Sequence, residues 1–423
     1  MLVQLAYGKS NLEIELPEDW DVTVVEPHFV QGLANPEQKI RDSLLSPINA
    51  LALRDFVKPG NKVGIIFSDI SRPTPNQVIL SSILEQLADI PKIRVTLFNA
   101  CGTHRTNTNK ELREILGDKL VDSYKIIQNY ASDARTQVYL GKTSFGHELW
   151  LNKEIVACDV RILTGFIEPH FFAGFSGGGK ALMPGMGGLR TILGNHDAKN
   201  ISDPNATWGI THGNPIWEEI QEVALRIGQI FLVNVTLNKE KQITGVFAGQ
   251  LNVAHEKGCA FVKQTAMISV PHPYDIVVTS NSGYPLDLNL YQAVKGMSAA
   301  AQVVRTGGAI IVAADCWDGI PANGLYGSLL RESKNPRELL NRITAPGFLE
   351  QDQWQAQIQA LIQLKAKVFL YTKNLSDEQI HSALLEPCHD IEATLSKLRK
   401  HFGPQTSICV LPEGPQTIPY IAN

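Results

Sequence analysis

The sequence predicts an α/β protein of two domains, each built on a mostly parallel sheet covered by helices. Three observations carry that expectation. Short β-rich runs alternate with amphipathic helical runs, the pattern of strand–crossover–strand units. The 423 residues exceed what one hydrophobic core usually supports, so two cores are expected. Hydrophobic residues make up 44% and charged residues 19%, without a long polar tract, a balance that lets each domain bury a core instead of remaining disordered.

The elements follow in order. Val63-Gly64-Ile65-Ile66-Phe67 reads as a buried strand, and Gln77 to Leu87 as a helix with Val78, Leu80, Ile83, Leu84 and Leu87 on one apolar stripe. Val95-Thr96-Leu97-Phe98 is the next strand. Thr108 and Glu111 then form a capping-box pattern ahead of Leu112, Ile115 and Leu116, and Gly117 stands where that helix stops. Val160 to Thr164 is a third strand. Ile216 to Ile227 reads as a helix after Asn214-Pro215, and Phe231–Val235 and Ile243–Val246 flank the polar turn Asn238 to Lys241 as a hairpin. Pro271-His272-Pro273 resists both helix and central strand and reads as a linker, dividing the chain into domains 1–270 and 271–423. Beyond it, Ile276–Thr279, Ala309–Val312 and Lys367–Leu370 read as strands of a second α/β unit.

A net charge of -4 and no run of Lys or Arg give no electrostatic footprint for nucleic acid or an anionic membrane. The six scattered cysteines lack zinc-finger or thioredoxin spacing and read as reduced, mostly buried thiols. The start of the chain lacks the basic and apolar pattern of a secretory signal, and no apolar run approaches membrane-helix length, so a cytoplasmic enzyme is expected.

In open α/β sheets, ligands collect beyond the carboxyl ends of the strands. Here those positions hold Ser68-Asp69-Ile70-Ser71-Arg72, Cys101-Gly102-Thr103-His104-Arg105, Glu168-Pro169-His170 and Asn281-Ser282-Gly283. His104 and His170 carry catalytic weight because imidazole transfers protons near neutral pH. His28, His255 and His381 have no such setting. Gly174 to Lys180 has the glycine and lysine spacing of a phosphate loop, but Ala181 replaces the magnesium-binding hydroxyl and Pro184-Gly185 soon interrupts any helix. What survives is a glycine run, including Gly177 and Gly178, that lets backbone N–H groups approach an anion beside Lys180; a flexible surface loop is the plain alternative. His196 sits in a polar turn that could equally be a helix cap, with no second ligand at metal-binding spacing. Gln292 and Lys295, three apart on an expected helix, could grip a carboxylate together or form a solvated face.

Taken together these residues resemble the nickel-dependent lactate racemase family over essentially the whole chain. The resemblance rests on Ser68-Asp69-Ile70-Ser71-Arg72-Pro73, Gly102-Thr103-His104-Arg105, the block from Glu168 to Gly178, Lys180, Asn195-His196, Gly283 to Asp287, Tyr291 to Met297 and Asp352-Gln353-Trp354. It implies racemisation or epimerisation of a small, lactate-like 2-hydroxy acid, with the active site in a cleft between the domains. It also implies a nickel pincer nucleotide, Ni(II)-pyridinium-3,5-bisthiocarboxylic acid mononucleotide, joined covalently to Lys180 and ligated by His196. Asp69, Ile70, Ser71, Arg72, Gly177, Gly178 and Trp354 would touch that cofactor. Arg72, Gln292 and Lys295 would hold the substrate carboxylate, and His104 and His170 would act as paired acid and base around reversible hydride transfer. Proteins that make the cofactor are implied partners. One position departs from the family pattern: Gly179 stands where an arginine is expected, which removes a cation beside the lysine. Two other readings stay open, a P-loop-like kinase or ATPase and a catalytically inactive small-molecule-binding homologue.

Overall fold

The computed structural model describes residues 1–322 and 324–422, and the chain divides into two units. One comprises Phe29–His196 and Asn205–Lys263; the other comprises Met1–His28, Asp197–Pro204 and Gln264–Asn423.

The first unit is built on a six-stranded sheet in the spatial order Ile243–Gly249, Ile230–Leu237, Val160–Phe166, Lys62–Ser68, Arg94–Ala100, Lys125–Gln128. Every neighbouring pair is parallel except the first, the expected hairpin, which is antiparallel. The central strands are continuous apolar runs because both faces are covered: Val63, Ile65, Phe67, Ile162 and Phe231 join Ile79, Ile83 and Leu87 of the helix Asn76–Leu87 in one core. From Lys62–Ser68 the chain steps outward through Arg94–Ala100 to Lys125–Gln128, then returns to place Val160–Phe166 on the other side of Lys62–Ser68. Connections therefore leave these two central strands in opposite directions, and a crevice opens at their carboxyl ends. Asp69 and His170 follow the two strands that border it.

Local signals were met closely here. Thr108 Oγ1 accepts from the Glu111 backbone N–H at 3.3 Å, Glu111 Oε2 accepts from the Thr108 N–H at 2.7 Å, and Gly117, at φ 78°, ends the helix Asn109–Leu116. Asn214 caps the helix Pro215–Arg226 by accepting from Ile216 and Trp217.

At the opposite end of the sheet, Arg161 is buried and its guanidinium donates to four backbone carbonyls, those of Ile155, Val156, Cys158 and Ile227, at 2.5–3.1 Å. An Arg161→Met substitution fills the space but strips four buried acceptors of a charged donor. A loss of about 3 kcal/mol of stability is expected, at the scale of one or two charged hydrogen bonds with their acceptors left unsatisfied. The urea midpoint checks it, and an unchanged midpoint would refute it.

The second unit has a six-stranded sheet in the order Glu386–Cys388, Ala366–Tyr371, Val304–Ala313, Tyr274–Ser280, Ser407–Leu411, Asp21–Val24, with all neighbours parallel. This departs from the expected cut at 270/271 in three ways. Asp21–Val24 supplies the edge strand of this sheet, so the first 28 residues belong to it. Asp197–Pro204 joins it too, where Gln357 Nε2 donates to the Ala198 carbonyl at 2.9 Å and the Ser202 hydroxyl at 2.8 Å. The later division falls inside the helix Leu251–Ala266, and the Pro271-His272-Pro273 segment is a turn between the strands Met267–Val270 and Tyr274–Ser280. Prolines mark a turn and a linker alike; pairing between residues hundreds of positions apart leaves no local mark.

Candidate functional site

Asp69 follows the strand Lys62–Ser68 and is almost wholly buried. Its Oδ2 accepts from His104 Nδ1 at 2.8 Å and its Oδ1 from the Ser71 hydroxyl at 2.7 Å, while Arg72 Nη1 donates to the Ser71 hydroxyl and carbonyl, each at 3.3 Å. Burial works to raise the Asp69 pKa, but His104, then Arg72 and Ser71, outweigh it and hold the carboxyl below its ordinary value. The pairing fixes the proton of neutral His104 on Nδ1 and leaves Nε2 as a base. Asp69→Asn would present an amide in place of the acceptor and favour the wrong tautomer. A drop of about 100-fold or more in turnover, within the range for a positioned acid–base group, is expected with the fold intact by circular dichroism. Asp69→Asn retaining parental turnover would remove this role.

Arg105, in the same loop, is held elsewhere: its Nη1 and Nη2 donate to Glu111 at 2.9 and 2.6 Å. The loop is tied to the glycine segment by the Gly102 N–H, which donates to the Gly185 carbonyl at 3.0 Å, and the Gly185 N–H donates to the Lys180 carbonyl at 3.1 Å.

His170 lies on the short strand Pro169–His170, which pairs antiparallel with Gly174–Phe175. Its Nδ1 faces the backbone N–H groups of Ala173 at 3.3 Å and Phe172 at 3.5 Å, so in the neutral ring the proton resides on Nε2. The Phe172 ring is the common neighbour of the site. His170 meets it edge-on at 4.5 Å between centroids, His196 at 4.9 Å, and Lys180 Nζ lies 5.3 Å from its centre.

Gly177 and Gly178 have φ of 74° and 56°, which L side chains resist, and a Cβ at either would collide, with Asn234 at 2.5 Å and with His255 at 2.8 Å. Lys180 then sits on a single 3₁₀ turn, Gly178–Ala181. The P-loop reading fails on these points: no α-helix begins at the lysine, and the Gly178 N–H donates to Asn234 Oδ1 at 2.7 Å instead of facing a phosphate. Gly179 presses on the helix Pro215–Arg226, where a Cβ would stand 3.0 Å from Ile220 Cγ2. A side chain there would project against that helix.

His196 is the C-terminal cap residue of the helix Leu189–Asn195 and is buried. Burial, then the Lys180 charge, lowers its pKa to about 3, so it is neutral near pH 7, the form that ligates metals. Among the described residues there is no group of three or more His, Cys, Asp or Glu able to hold a metal ion.

His255 is the residue the sequence reading missed. It is buried beneath the glycine loop, its Nε2 donates to the Ser176 carbonyl at 2.8 Å, and its ring stacks on Trp217 at 4.7 Å. Nothing local marked it, because it sits mid-helix in Leu251–Ala266. Burial, partly offset by the Ser176 carbonyl and reinforced by Lys180, lowers its pKa to about 4. Both histidines bind a proton in the unfolded chain below about pH 6.5 that the folded chain refuses. Their stabilisation is therefore complete above that value and lost as pH falls through about 4 for His255 and about 3 for His196. Urea unfolding is expected to weaken by about 1.4 kcal/mol per pH unit per histidine across that window, with a shallower slope in His255→Phe. Equal slopes would contradict it.

In the other unit, Gln292 and Lys295 share one buried face of the helix Leu290–Ala301, which corrects the solvated-face reading. The Gln292 side-chain oxygen is buried with no hydrogen-bond partner among the described residues. Trp354 is buried, and its Nε1 donates to the hydroxyl of Tyr291, next to Gln292, at 3.0 Å.

Residues 7–209 match the model of the lactate racemase N-terminal domain, and residues 270–418 that of the lactate racemase C-terminal domain. A lactate racemase of Thermoanaerobacterium thermosaccharolyticum is 34% identical over 421 residues, covering 98% of each chain. One of Lactiplantibacillus plantarum is 34% identical over 97% of this chain and 98% of its own. The solved structure of the lactate racemase apoprotein from T. thermosaccharolyticum aligns with a TM-score of 0.92 at 33% identity, over 99% of this chain and 100% of that one. A Thermotoga maritima protein of solved structure, 18% identical with a TM-score of 0.70 over 91% of this chain and 98% of its own, shares the fold. With two family models in order and full-length relatives at this identity, the chain belongs to the lactate racemase family and is an isomerase.

Proposed function

We propose that this protein interconverts the stereoisomers of a small 2-hydroxy monocarboxylate such as lactate, with a nickel pincer nucleotide joined to Lys180 and ligated by His196. The observation that carries this reading is the convergence of Lys180, His196 and His170 on the Phe172 ring, with the His104 loop tied to the Lys180 loop. The side chains fit that group on their own chemistry. A buried neutral imidazole, with no protein-only metal cluster among the described residues, suits a metal that brings its other donors along. The amine stands on a loop whose glycines leave no room for side chains.

When bound, the nickel pincer nucleotide supplies a reversible acceptor for the hydrogen on the substrate α-carbon. His104, oriented by Asp69, takes the hydroxyl proton at Nε2. His170 acts as the acid only as its imidazolium: having taken up a second proton, it gives the one on Nε2 to the substrate oxygen, and both rings then re-equilibrate with solvent. For the reverse stereoisomer the two exchange roles, and for this reason two imidazoles are needed. Arg72 would hold the substrate carboxylate; in the other unit, Lys295 and Gln292 offer the same chemistry, a cation beside an amide. The orphaned amide end of Gln292 accepts a hydroxyl or, turned over, donates to a carboxylate. Arg105, engaged by Glu111, is not offered to a second carboxylate, which favours a substrate with one. The setting is cytoplasmic, with cofactor-making proteins as partners; among the described residues no helix is long and apolar enough to cross a membrane.

The test is expression with cofactor-making proteins, followed by mass analysis of the Lys180 peptide, nickel determination and a screen of single-enantiomer 2-hydroxy acids for loss of optical activity. A nickel-bearing adduct on that peptide with racemisation supports the reading. Racemisation with no adduct would overturn the cofactor assignment, and an adduct with no turnover of any 2-hydroxy acid would overturn the activity.

A further inference from the structure

Glu219 is completely buried, a costly place for a carboxylate, and nothing in the proposed chemistry uses it. Its Oε1 accepts from the Thr143 hydroxyl at 2.6 Å and from His147 Nδ1 at 2.9 Å; its Oε2 accepts from Asn195 Nδ2 at 2.8 Å. Asn195 Nδ2 also donates to the Ile216 carbonyl at 3.1 Å, so its side chain is pinned twice to the helix Pro215–Arg226. Asn195 is the residue before His196. The same helix supports the other anchor: Ile220, next to Glu219, packs under Gly179, and Trp217 stacks on His255, which underlies Gly178 and binds the Ser176 carbonyl.

We infer that Glu219 is a positioning residue: through Asn195 it fixes His196 to the helix that also supports the Lys180 loop, so one rigid element sets the separation of the two cofactor anchors. This rests on the reading that Lys180 and His196 hold the nickel group. An apolar residue at 219 would pack as well and avoid burying a charge. What it could not do is grip the Asn195 amide through Oε2 while Thr143 holds Oε1 and His147 Nδ1 bridges both oxygens, at 2.9 and 3.0 Å. Partners behind a metal-ligating histidine set its orientation, and losing one typically costs about 10- to 100-fold in metal affinity.

Asn195→Ala and Thr143→Val each remove one hydrogen bond from Glu219, on the His196 side and on the far side respectively. Glu219→Gln keeps the shape but leaves a single acceptor oxygen for the three donors of Thr143, His147 and Asn195. Each variant is made in the cofactor-loaded protein. The readouts are the adduct mass on the Lys180 peptide, the rate of nickel loss to a chelator, and kcat and KM separately. Asn195→Ala and Glu219→Gln are expected to keep the adduct but lose nickel at least about tenfold faster, with kcat reduced and KM little changed. Thr143→Val is expected to lose thermal stability but retain nickel as the parent does. Parental nickel retention in Asn195→Ala and Glu219→Gln would overturn the inference, as would equal nickel loss in all three. Because folding is reported by the adduct and by Thr143→Val, a merely structural role is told apart. If the parent itself carries no nickel on the Lys180 adduct, it is the cofactor reading that fails, a separate outcome.

Discussion

Lys180→Ala is expected to yield a folded protein that carries no covalent adduct and racemises nothing above background, the largest effect of any single change. The reason is that Lys180 offers the one amine on the glycine turn Gly178–Ala181, and the proposed hydride acceptor is tethered through it. Removing the side chain does not threaten the fold, because the turn is held by backbone bonds: the Lys180 N–H to the Gly177 carbonyl at 3.2 Å and the Gly185 N–H to the Lys180 carbonyl at 3.1 Å. Loss of the ammonium also relieves both neighbouring imidazoles of a like charge, so the pKa of His196 and of His255 moves up in the variant. Peptide mass analysis, the optical assay and urea unfolding measure the three consequences. Retained racemisation in Lys180→Ala would refute the tether.

The second large effect belongs to the two imidazoles. His104→Ala and His170→Ala are each expected to lower turnover by about 100- to 10,000-fold, the contribution of a positioned acid or base. Because the equilibrium between enantiomers is even, kcat/KM falls by the same factor in both directions for either variant, while kcat and KM in each direction part company. The variants differ in their effect on the fold. His104→Ala leaves the buried Asp69 carboxylate without its main partner, so the pKa of Asp69 rises and stability drops. In His170→Ala the two backbone N–H groups facing Nδ1 lose an acceptor at long distance, a smaller penalty. Polarimetry from each pure enantiomer, beside urea unfolding, checks both halves. Turnover surviving in both variants would remove the acid–base pair.

Part of the framework of the candidate site was legible in the sequence. The sequence put strand ends at Phe67, Phe98 and Thr164, one or two residues short of the observed Ser68, Ala100 and Phe166, and the rule that ligands gather there made Asp69, His104 and His170 candidates. The Thr108–Glu111 capping box and the Asn214–Pro215 start were read correctly because a cap is a contact between residues two or three apart. His255 and Glu219 were not legible. Each lies mid-helix, and its importance comes from residues far away in sequence, Ser176 and Gly178 for one and Thr143, His147 and Asn195 for the other.

The chain by itself determined the α/β class, the residues at the strand ends and the membership of a family, since these are carried by local periodicity and short motifs. Only the tertiary structure decided that the first 28 residues complete the sheet of the second unit, that His170, His196 and Lys180 share the Phe172 ring, and that the helix Pro215–Arg226 holds the Asn195 side chain and packs under Gly179. The physical reason is range: hydrogen bonds along a helix or a turn are written in neighbouring residues. Strand pairing and side-chain packing join positions whose separation in sequence carries no signal until the core has closed.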